Sequence, residues 1–452
     1  MSGNDQKRAD AVYAQLLARQ GEQWVQPRIE RTRRVLEMLA DPQRTYRVVH
    51  VTGTNGKTST SRIVESLLRA HGLRTGLFTS PHLTRFTERI TIDGEPIPDA
   101  AVADAWDEIS PFVALVDAEL AAADDAPLTF FELLTVLAFV AFSDAPVDVA
   151  VIEVGMGGTW DSTNTADGDV AVIAPIGLDH ADRLGNTIAE IAAVKAGIIK
   201  PDAAVVSAAQ TPEAEAVLRA QAQRVGATIA FEGQDFALTA DRLAVGGQML
   251  DVRGLAGEYT ELYLPLYGAH QGRNAALAVA AVESLIGGAS QRLVGDVLTD
   301  GFAQATSPGR LQLVGAHPTV VVDAAHNPHG ATALVEALRA SFDFDEWGVV
   351  LGVLGDKDAR GIVAQLRPIA AHVFATAPDS ERANDADAIA DLAEEAGLRV
   401  TVHDDLPSAA EAAREWAAAS DRRAVVVAGS VVLAGEALAL ADAESWKDGW
   451  SE

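Results

Sequence analysis

A short polar segment near the start of the chain combines residue types that can hold phosphate groups. It reads Val51-Thr52-Gly53-Thr54-Asn55-Gly56-Lys57-Thr58-Ser59 and lies between a strand pattern and a helical pattern. Glycines let backbone N–H groups converge on phosphate oxygens, and a lysine brings positive charge to the terminal phosphates. The hydroxyl of Thr58 or Ser59 can reach Mg²⁺. The usual spacing has a glycine where this chain has Val51, but the position between strand and helix predicts nucleotide binding.

A carboxylate follows another apolar strand pattern, at residues 147–154. The segment reads Glu153-Val154-Gly155-Met156-Gly157-Gly158-Thr159-Trp160-Asp161-Ser162-Thr163-Asn164. A carboxylate at a strand end beside a phosphate loop is well placed to bind Mg²⁺, because this hard cation prefers oxygen ligands. The glycines allow the backbone to approach a substrate closely. The structural alternative, a turn rich in Gly and Asx residues, explains a buried acid followed by Gly-x-Gly-Gly poorly.

Two aromatic residues stand next to a carboxylate in Thr129-Phe130-Phe131-Glu132. A fused-ring heterocycle could stack on a phenyl face, and the carboxylate could accept hydrogen bonds from its amino and ring N–H groups. The alternative is a helix start, in which Thr129 is the N-cap and Glu132 completes a capping box. The residues alone leave both interpretations open.

The apolar patterns predict the elements that position these segments. Strands are expected at residues 46–51, 75–79, 147–154 and 169–176, and helices at 60–71, 100–123, 130–142 and 188–199. A helical segment is expected to about residue 42, and Asp93-Gly94 indicates a hairpin. Alternation of strand and helix predicts an α/β fold, with a phosphate loop on a doubly wound, mostly parallel sheet.

A second, smaller α/β domain of Rossmann-like type is predicted after Ser307-Pro308-Gly309, which interrupts the pattern. Strands are expected there at residues 319–323, 348–354, 372–375, 399–403 and 424–428, with a helix over 407–420. Before the interruption, a small antiparallel patch is expected at 234–266 and a strong helix at 275–285. We therefore expect two domains, residues 1–307 and 308–452.

The composition excludes several classes of function. The chain of 452 residues has no cysteine, which rules out disulfides, zinc–thiolate sites and cysteine nucleophiles. Its formal net charge of −29 argues against a surface for nucleic acid or anionic membrane. The densest apolar stretch, residues 130–142, is too short to span a bilayer, and the first residues lack the apolar core of a secretory signal. We expect a cytoplasmic protein.

The segment Gly53-Thr54-Asn55-Gly56-Lys57 resembles the phosphate loop of the Mur ligase superfamily, whose members make amide bonds through acyl phosphates. From about residue 28 to about 436 the chain resembles folylpolyglutamate synthase, which in bacteria is often also a dihydrofolate synthase. Further matching motifs include Ser80-Pro81-His82, Glu88-Arg89-Ile90, Leu178-Asp179-His180, His270-Gln271-Gly272-Arg273-Asn274 and Asp323-Ala324-Ala325-His326-Asn327-Pro328. The resemblance implies an ATP- and Mg²⁺-dependent ligase, with one or two metal ions, that joins L-glutamate to folate or dihydropteroate. We expect a monomer.

The resemblance also implies roles for individual residues. The expected metal ligands are Ser80, Glu153, His180 and, if it is carbamylated, Lys195. ATP is expected to contact Gly53, Thr54, Asn55, Gly56, Lys57, Thr58, Ser59, Asn274, Arg310, Asp323 and His326. The folate side is expected at Thr129, Phe130, Phe131, Glu132, Trp160, Asp161 and Ser162. The catalytic residues are expected to be Lys57, His180, Lys195 and Arg310.

Alternatives remain for single residues and for the whole chain. Lys195 could instead pair with Glu153 or with phosphate, and Arg310 could form a surface ion pair. The rival functions are another Mur-type ligase that acts on a cell-wall peptide, and a phosphate-loop kinase or NTPase that makes no amide. The second α/β domain disfavours the kinase. The residues do not distinguish dihydropteroate from reduced folate, and they give neither glutamate chain length nor linkage.

Overall fold

The computed structural model describes residues 3–21, 27–179 and 181–446. Its first sheet has eight strands, in the order β4-β3-β2-β5-β1-β6-β7-β8. The strands are β1 (Arg47–Thr52), β2 (Thr75–Phe78), β3 (Ile90–Ile92), β4 (Glu95–Pro96), β5 (Val149–Glu153), β6 (Val170–Ile173), β7 (Ala204–Ser207) and β8 (Thr228–Phe231). The pairs from β2 to β8 are parallel, and β3 and β4 add an antiparallel hairpin at one edge.

Helices cover both faces of this sheet. They are α1 (Gly3–Leu17), α2 (Ile29–Met38), α3 (Lys57–Ala70), α4 (Asp99–Ala122), α5 (Phe130–Asp144), α6 (Ala181–Leu184), α7 (Ile188–Lys195), α8 (Pro212–Val225), α9 (Ala269–Gly287) and α10 (Gly295–Ala303). Successive strand residues point to opposite faces. Val49 and Val51 therefore pack in one apolar cluster with residues of α3 and α9, while Val48 packs in another with α5.

A second sheet of six strands follows, in the order β12-β13-β17-β14-β15-β16, and all its pairs are parallel except β12 with β13. Its strands are β12 (Gln312–Ala316), β13 (Thr319–Val322), β14 (Glu346–Leu351), β15 (Ala370–Ala375), β16 (Val400–Val402) and β17 (Arg423–Ala428). The helices are α11 (Pro328–Ser341), α12 (Ala359–Leu366), α13 (Ala386–Glu395), α14 (Leu406–Ala418) and α15 (Val431–Ala443). Residues of α11, α12 and α13 form the core on one face, and those of α14 and α15 on the other.

The α/β fold agrees with the sequence expectation, but several elements differ from it. The helical opening is two helices, α1 and α2, and residues 22–26 between them lie outside the described part. Among the elements without a counterpart in the expected ranges are β7, α8, β8, α10 and β12. Two of these strands have only four residues, too few to show a period of two clearly. None of the helices in the described part combines the length and apolar character needed to cross a bilayer.

The expected antiparallel patch is a three-stranded sheet, and the buried carboxylate of Glu283 connects it to α9 through hydrogen bonds. Its strands are β9 (Ala237–Ala244), β10 (Gly247–Arg253) and β11 (Glu258–Leu264). The side chain of Glu283 is fully buried and accepts hydrogen bonds from Leu255 N at 2.5 Å, Ala256 N at 3.1 Å and the Tyr259 hydroxyl at 2.8 Å. Burial raises the pKa of Glu283, and the three donors oppose that rise.

We predict that Glu283→Ala lowers the free energy of unfolding by about 2–4 kcal/mol, because it leaves buried donors without an acceptor. Urea denaturation followed by circular dichroism measures this loss. The matched control is Glu411→Ala on the exposed side of α14, which should change the free energy by less than about 0.5 kcal/mol. Equal effects of the two changes would contradict a fastening role for Glu283.

Candidate active site

A cavity of about 1660 Å³ lies at the carboxyl ends of the central parallel strands and extends to the second sheet. Ligands of open α/β sheets bind at this edge. Every site residue expected from the sequence lines the cavity, except His180, which lies outside the described residues. The lining residues among them are Gly53, Thr54, Asn55, Gly56, Lys57, Thr58, Ser59, Ser80, Thr129, Phe130, Phe131, Glu132, Glu153, Trp160, Asp161, Ser162, Lys195, Asn274, Arg310, Asp323 and His326.

The phosphate loop between β1 and α3 is held by residues distant in the sequence. Thr54 and Gly177 exchange two hydrogen bonds of 3.0 Å, one from the Thr54 hydroxyl and one from Gly177 N. Gly56 has φ +82°, and a Cβ atom there would lie 2.8 Å from Oδ1 of Asn274. Asn274 therefore closes against the loop itself, and only glycine fits at position 56.

The second α/β unit also contacts this loop. The Asn55 amide lies 2.6 Å from Nδ1 of His329, and the Asn327 amide donates to Asn55 Oδ1 at 3.4 Å. Asn327 caps α11, because its side chain also accepts from Gly330 N at 2.7 Å. The start of α11 is therefore seated on the phosphate loop.

Two lysines contact the backbone of the loop, of which Lys57 is partly buried and Lys195 is buried. Lys57 donates to the Thr54 carbonyl at 3.2 Å, and Lys195 donates to the Gly53 carbonyl at 2.7 Å. Burial lowers the pKa of Lys57, against the opposing charges of Glu153 and Asp179. Burial and the charge of Lys57 lower the pKa of Lys195 to about 7. A substantial fraction of Lys195 is therefore a neutral amine near neutral pH.

Oxygen donors converge at Glu153, the last residue of β5. Its carboxylate is 1% exposed and accepts from the Thr58 hydroxyl at 2.9 Å and from Ser80 N at 3.3 Å. Burial raises the pKa of Glu153, whereas Lys57 and the Thr58 hydrogen bond lower it. The Ser59 hydroxyl instead lies 2.9 Å from that of Ser307, so Thr58 is the hydroxyl directed at the carboxylate.

This donor set fits Mg²⁺. Within the described ranges, no three His, Asp or Glu side chains group together as a metal cage. Mg²⁺ does not require one, because it is usually held by one or two carboxylates together with substrate phosphates and water. Glu153, Thr58 and Ser80 offer hard oxygen atoms beside the phosphate loop.

The aromatic segment forms another end of the cavity. The ring of Phe131 packs so closely on Gly155 that a Cβ atom there would lie 2.5 Å from it. The carboxylate of Glu132 accepts from Thr129 N at 2.7 Å and forms an ion pair with Arg28 at 3.2 Å. Thr129 and Glu132 thus form the capping box that the sequence left open as an alternative. Both still line the cavity, but the hydrogen-bonding capacity of Glu132 is largely used within the protein.

Asp161 lies in the glycine-rich loop after β5. Its Oδ2 accepts from Met156 N at 2.9 Å, and its Oδ1 accepts from Thr163 N at 3.0 Å. Burial raises the pKa of Asp161, and these hydrogen bonds favour its charged form. Trp160 and Ser162 line the cavity on either side of it.

The link between the two sheets carries Arg310 and is tied by Asp323. The Asp323 carboxylate accepts from Leu311 N and from Ala325 N, both at 2.8 Å. Leu311 has φ +45°, so these bonds hold a left-handed residue beside Arg310. Burial raises the pKa of Asp323, and the charge of Arg310 opposes this. Burial lowers the pKa of His326, whose ring is therefore neutral.

Other lining residues received no individual role from the sequence, although His82 and Arg89 belong to motifs quoted above. In the unit of the eight-stranded sheet, Arg89 donates to His82 Nδ1 at 2.7 Å, and the Tyr13 hydroxyl lies 3.5 Å from His82 Nε2. In the unit of the six-stranded sheet, Lys357 and Arg382 both form ion pairs with the carboxylate of Asp356, at 3.5 and 2.5 Å respectively. Tyr13 and Arg382 lie in ordinary helical and loop sequence, so only the fold brings them to the cavity.

A phosphate loop that faces a second α/β unit across a deep cavity defines a nucleotide-binding protein of the Mur ligase class. The family models agree with this. The Mur ligase middle domain matches residues 51–282, and the Mur ligase glutamate ligase domain matches residues 309–431.

More specific similarity comes from individual proteins. A dihydrofolate synthase/folylpolyglutamate synthase of Mycobacterium tuberculosis is 46% identical over 92% of this chain and 90% of that protein. A Mycobacterium tuberculosis folylpolyglutamate synthase structure complexed with ADP has 45% identity and a TM-score of 0.92, over 97% of this chain and 99% of that chain. An E. coli FolC structure in complex with DHPP and ADP has 31% identity and a TM-score of 0.79, over 92% and 93% of the two chains. The chain therefore belongs to the folylpolyglutamate synthase/dihydrofolate synthase family of Mur ligases.

Proposed function

We propose that the protein is an ATP-dependent amide ligase that adds L-glutamate to folate-type carboxylates, as a folylpolyglutamate synthase and a dihydrofolate synthase. The observation that carries this proposal is a cavity that is lined by the phosphate loop, by the aromatic segment 129–132, and by the cationic side chains of Lys357 and Arg382. Related proteins solved with ADP and with DHPP support these two ligand classes. The rival peptide ligase and the rival kinase are not favoured by these relatives.

The chemistry requires activation of the carboxylate. An amide does not form readily from a carboxylate and an amine in water, because hydroxide is a poor leaving group. Transfer of the terminal phosphoryl group of ATP gives an acyl phosphate and ADP. The neutral amine of glutamate then attacks the acyl carbon, phosphate leaves, and the amine loses a proton. Lys57 and Arg310 neutralise charge on the phosphoryl group during its transfer.

Thr58, Ser80 and Glu153 are the described residues that hold Mg²⁺ in this proposal, and His180 is a further ligand. When bound, Mg²⁺ supplies positive charge that neutralises phosphate oxygens. Lys195 becomes a ligand of a second ion if it is carbamylated, because carbamylation converts a cation into a carboxylate-like anion. Its lowered pKa supports this, since only the neutral amine combines with CO₂.

The substrates occupy different ends of the cavity. The pteridine lies against Phe130, Phe131, Trp160, Asp161 and Ser162, whereas Thr129 and Glu132 shape this end as the start of α5. ATP contacts residues 53–59 and lies near Asn274, Asp323 and His326. Glutamate, an anion, approaches from the side of Lys357 and Arg382, where two cations share one carboxylate. In this proposal residues 1–307 bind ATP and folate, and residues 308–452 form the glutamate side.

Exclusion of water protects the acyl phosphate from hydrolysis. The contact of Asn55 with Asn327 and His329 supports closure of the second unit over the phosphate loop. One chain supplies all of these groups, so the proposed enzyme is a monomer. Its use of ATP and free glutamate points to the cytoplasm.

We predict that Lys57→Ala reduces ADP release that depends on both folate and glutamate by at least about 10²-fold, because charge on the transferring group is no longer neutralised. Mass analysis of products formed with ATP, Mg²⁺, glutamate and either dihydropteroate or tetrahydrofolate measures the same loss. The matched control, Lys7→Ala on the exposed face of α1, should retain full turnover. Full turnover by Lys57→Ala would remove the phosphate loop from the mechanism, and ADP release without glutamate would contradict the ligase.

For Glu153→Gln we predict that the Mg²⁺ concentration needed for half-maximal activity rises by about tenfold or more, because a neutral amide is a weaker ligand than a carboxylate. The two side chains have the same shape, so stability should change little. The control is Glu65→Gln, a buried carboxylate of α3 that accepts from the Thr75 hydroxyl at 2.6 Å. An unchanged metal titration for Glu153→Gln would remove this residue from the metal site.

Carbamylation of Lys195 should depend on pH. With ¹³C-bicarbonate, we predict a carbamate signal in the ¹³C NMR spectrum near pH 8 that is lost toward pH 6. The sign follows from a pKa lowered to about 7, because the amine is neutral above this value and charged below it. Lys195→Arg should lack the signal, and Lys200→Arg should keep it. A protein without the signal at pH 8 would contradict carbamylation.

A further inference from the structure

A fully buried histidine sits in the middle of β1. His50 is 0% exposed, whereas its neighbours Val48, Val49 and Val51 are apolar. Burial lowers the pKa of His50 to about 3, so its ring is neutral. Its Nδ1 atom is buried and has no hydrogen-bond partner among the described residues. A valine would avoid this cost, so core filling does not account for the histidine.

The other ring nitrogen of His50 leads to the substrate cavity. Nε2 lies 2.9 Å from the Thr163 hydroxyl, and this hydroxyl donates to Asp161 Oδ1 at 2.5 Å. A hydroxyl has one proton, and here it goes to the carboxylate. Toward His50 the hydroxyl can therefore only accept, which assigns the imidazole proton to Nε2. The three groups form an ordered chain, His50 to Thr163 to Asp161.

This chain determines which lone pairs of Asp161 remain for a ligand. Oδ1 receives the Thr163 hydroxyl and N–H, and Oδ2 receives Met156 N–H. All three donors belong to Met156 and Thr163 in the segment after β5, and Asp161 itself lines the cavity. Both lone pairs of Oδ1 are therefore engaged, and at most one lone pair of Oδ2 remains to accept one hydrogen bond from an N–H donor. A 2-amino-4-oxopteridine offers such a donor in its 2-amino group.

We propose that His50 is a positioning residue for pteridine recognition, which acts through the Thr163 hydroxyl to fix the orientation of the Asp161 carboxylate. The inference rests on the proposed folate-type substrate. Beyond that function, we infer that the preference for a pteridine with a 2-amino group depends on His50, although His50 does not contact the substrate.

The test compares dihydropteroate with an analogue whose 2-amino group is replaced by methyl. The measured quantity is the ratio of the two kcat/KM values. For His50→Phe we expect this ratio to fall by about fivefold to tenfold, the effect of one weakened hydrogen bond to a charged group. The KM for ATP should stay within about twofold, and the analogue alone should be used almost as well as by the wild type.

Three further variants separate positioning from stability. Thr163→Val removes the hydroxyl with little change in shape, and we expect the same fall in the ratio, without further loss in the double variant with His50→Phe. His50→Gln retains an N–H donor and should restore most of the ratio. Tyr46→Phe removes another buried hydrogen bond, 3.3 Å to the Phe139 carbonyl, and should lower stability without changing the ratio.

An unchanged ratio in folded His50→Phe and Thr163→Val overturns the positioning role and leaves the proposed function intact. If His50→Phe does not fold, Thr163→Val decides alone. A wild-type protein without pteridine-dependent turnover overturns the proposed function, and the positioning role with it.

Discussion

The site depends on the backbone conformation of the phosphate loop, which is held by hydrogen bonds from distant residues to Gly53 and Thr54. Gly53 and Gly56 have φ of +152° and +82°, so the loop occupies backbone conformations that cost free energy in other residues. The Gly53 carbonyl receives Lys195, and Thr54 is fixed by Gly177. Each of these contacts joins positions more than a hundred residues apart. The loop is therefore stable only when the sheet, its neighbouring loops and α7 have all formed.

That arrangement places opposite charges close together on buried and partly buried side chains of the cavity wall. Burial raises the pKa of Glu153 and lowers the pKa values of Lys57 and Lys195, so each group is less stable in its charged form than it would be in water. Their mutual attraction offsets part of this cost. A nucleotide with its metal would bring both signs of charge to the same place. In the proposed function, binding of the nucleotide with its metal would therefore offset the cost that these buried charges impose on the free protein.

Residues close in sequence were the predictable part of this site. A strand followed by Gly, Lys and a hydroxyl residue indicates a phosphate loop, because these residues are adjacent in the sequence even though distant contacts hold the loop in place. The choice between Thr58 and Ser59 could not be made, because it depends on the hydrogen bond between the hydroxyls of Ser59 and Ser307, which lie far apart in the sequence. The same holds for Tyr13 and Arg382, which reach the cavity through helix packing and a strand-end loop. For Glu132 the sequence allowed two interpretations, a capping box at the start of α5 and a contact with the substrate, and the structure contains the capping box.

Asp323 shows how a carboxylate expected to contact ATP can serve the proposed reaction by another route. Its oxygens are engaged by Leu311 and Ala325, so its direct effect is on the link that carries Arg310. Lys57 is placed by the first sheet and Arg310 by the second. In the proposed reaction, charge on the phosphoryl group is then fully neutralised only while the two units are together. The same closure excludes water, so phosphoryl transfer and protection of the acyl phosphate depend on one geometric condition.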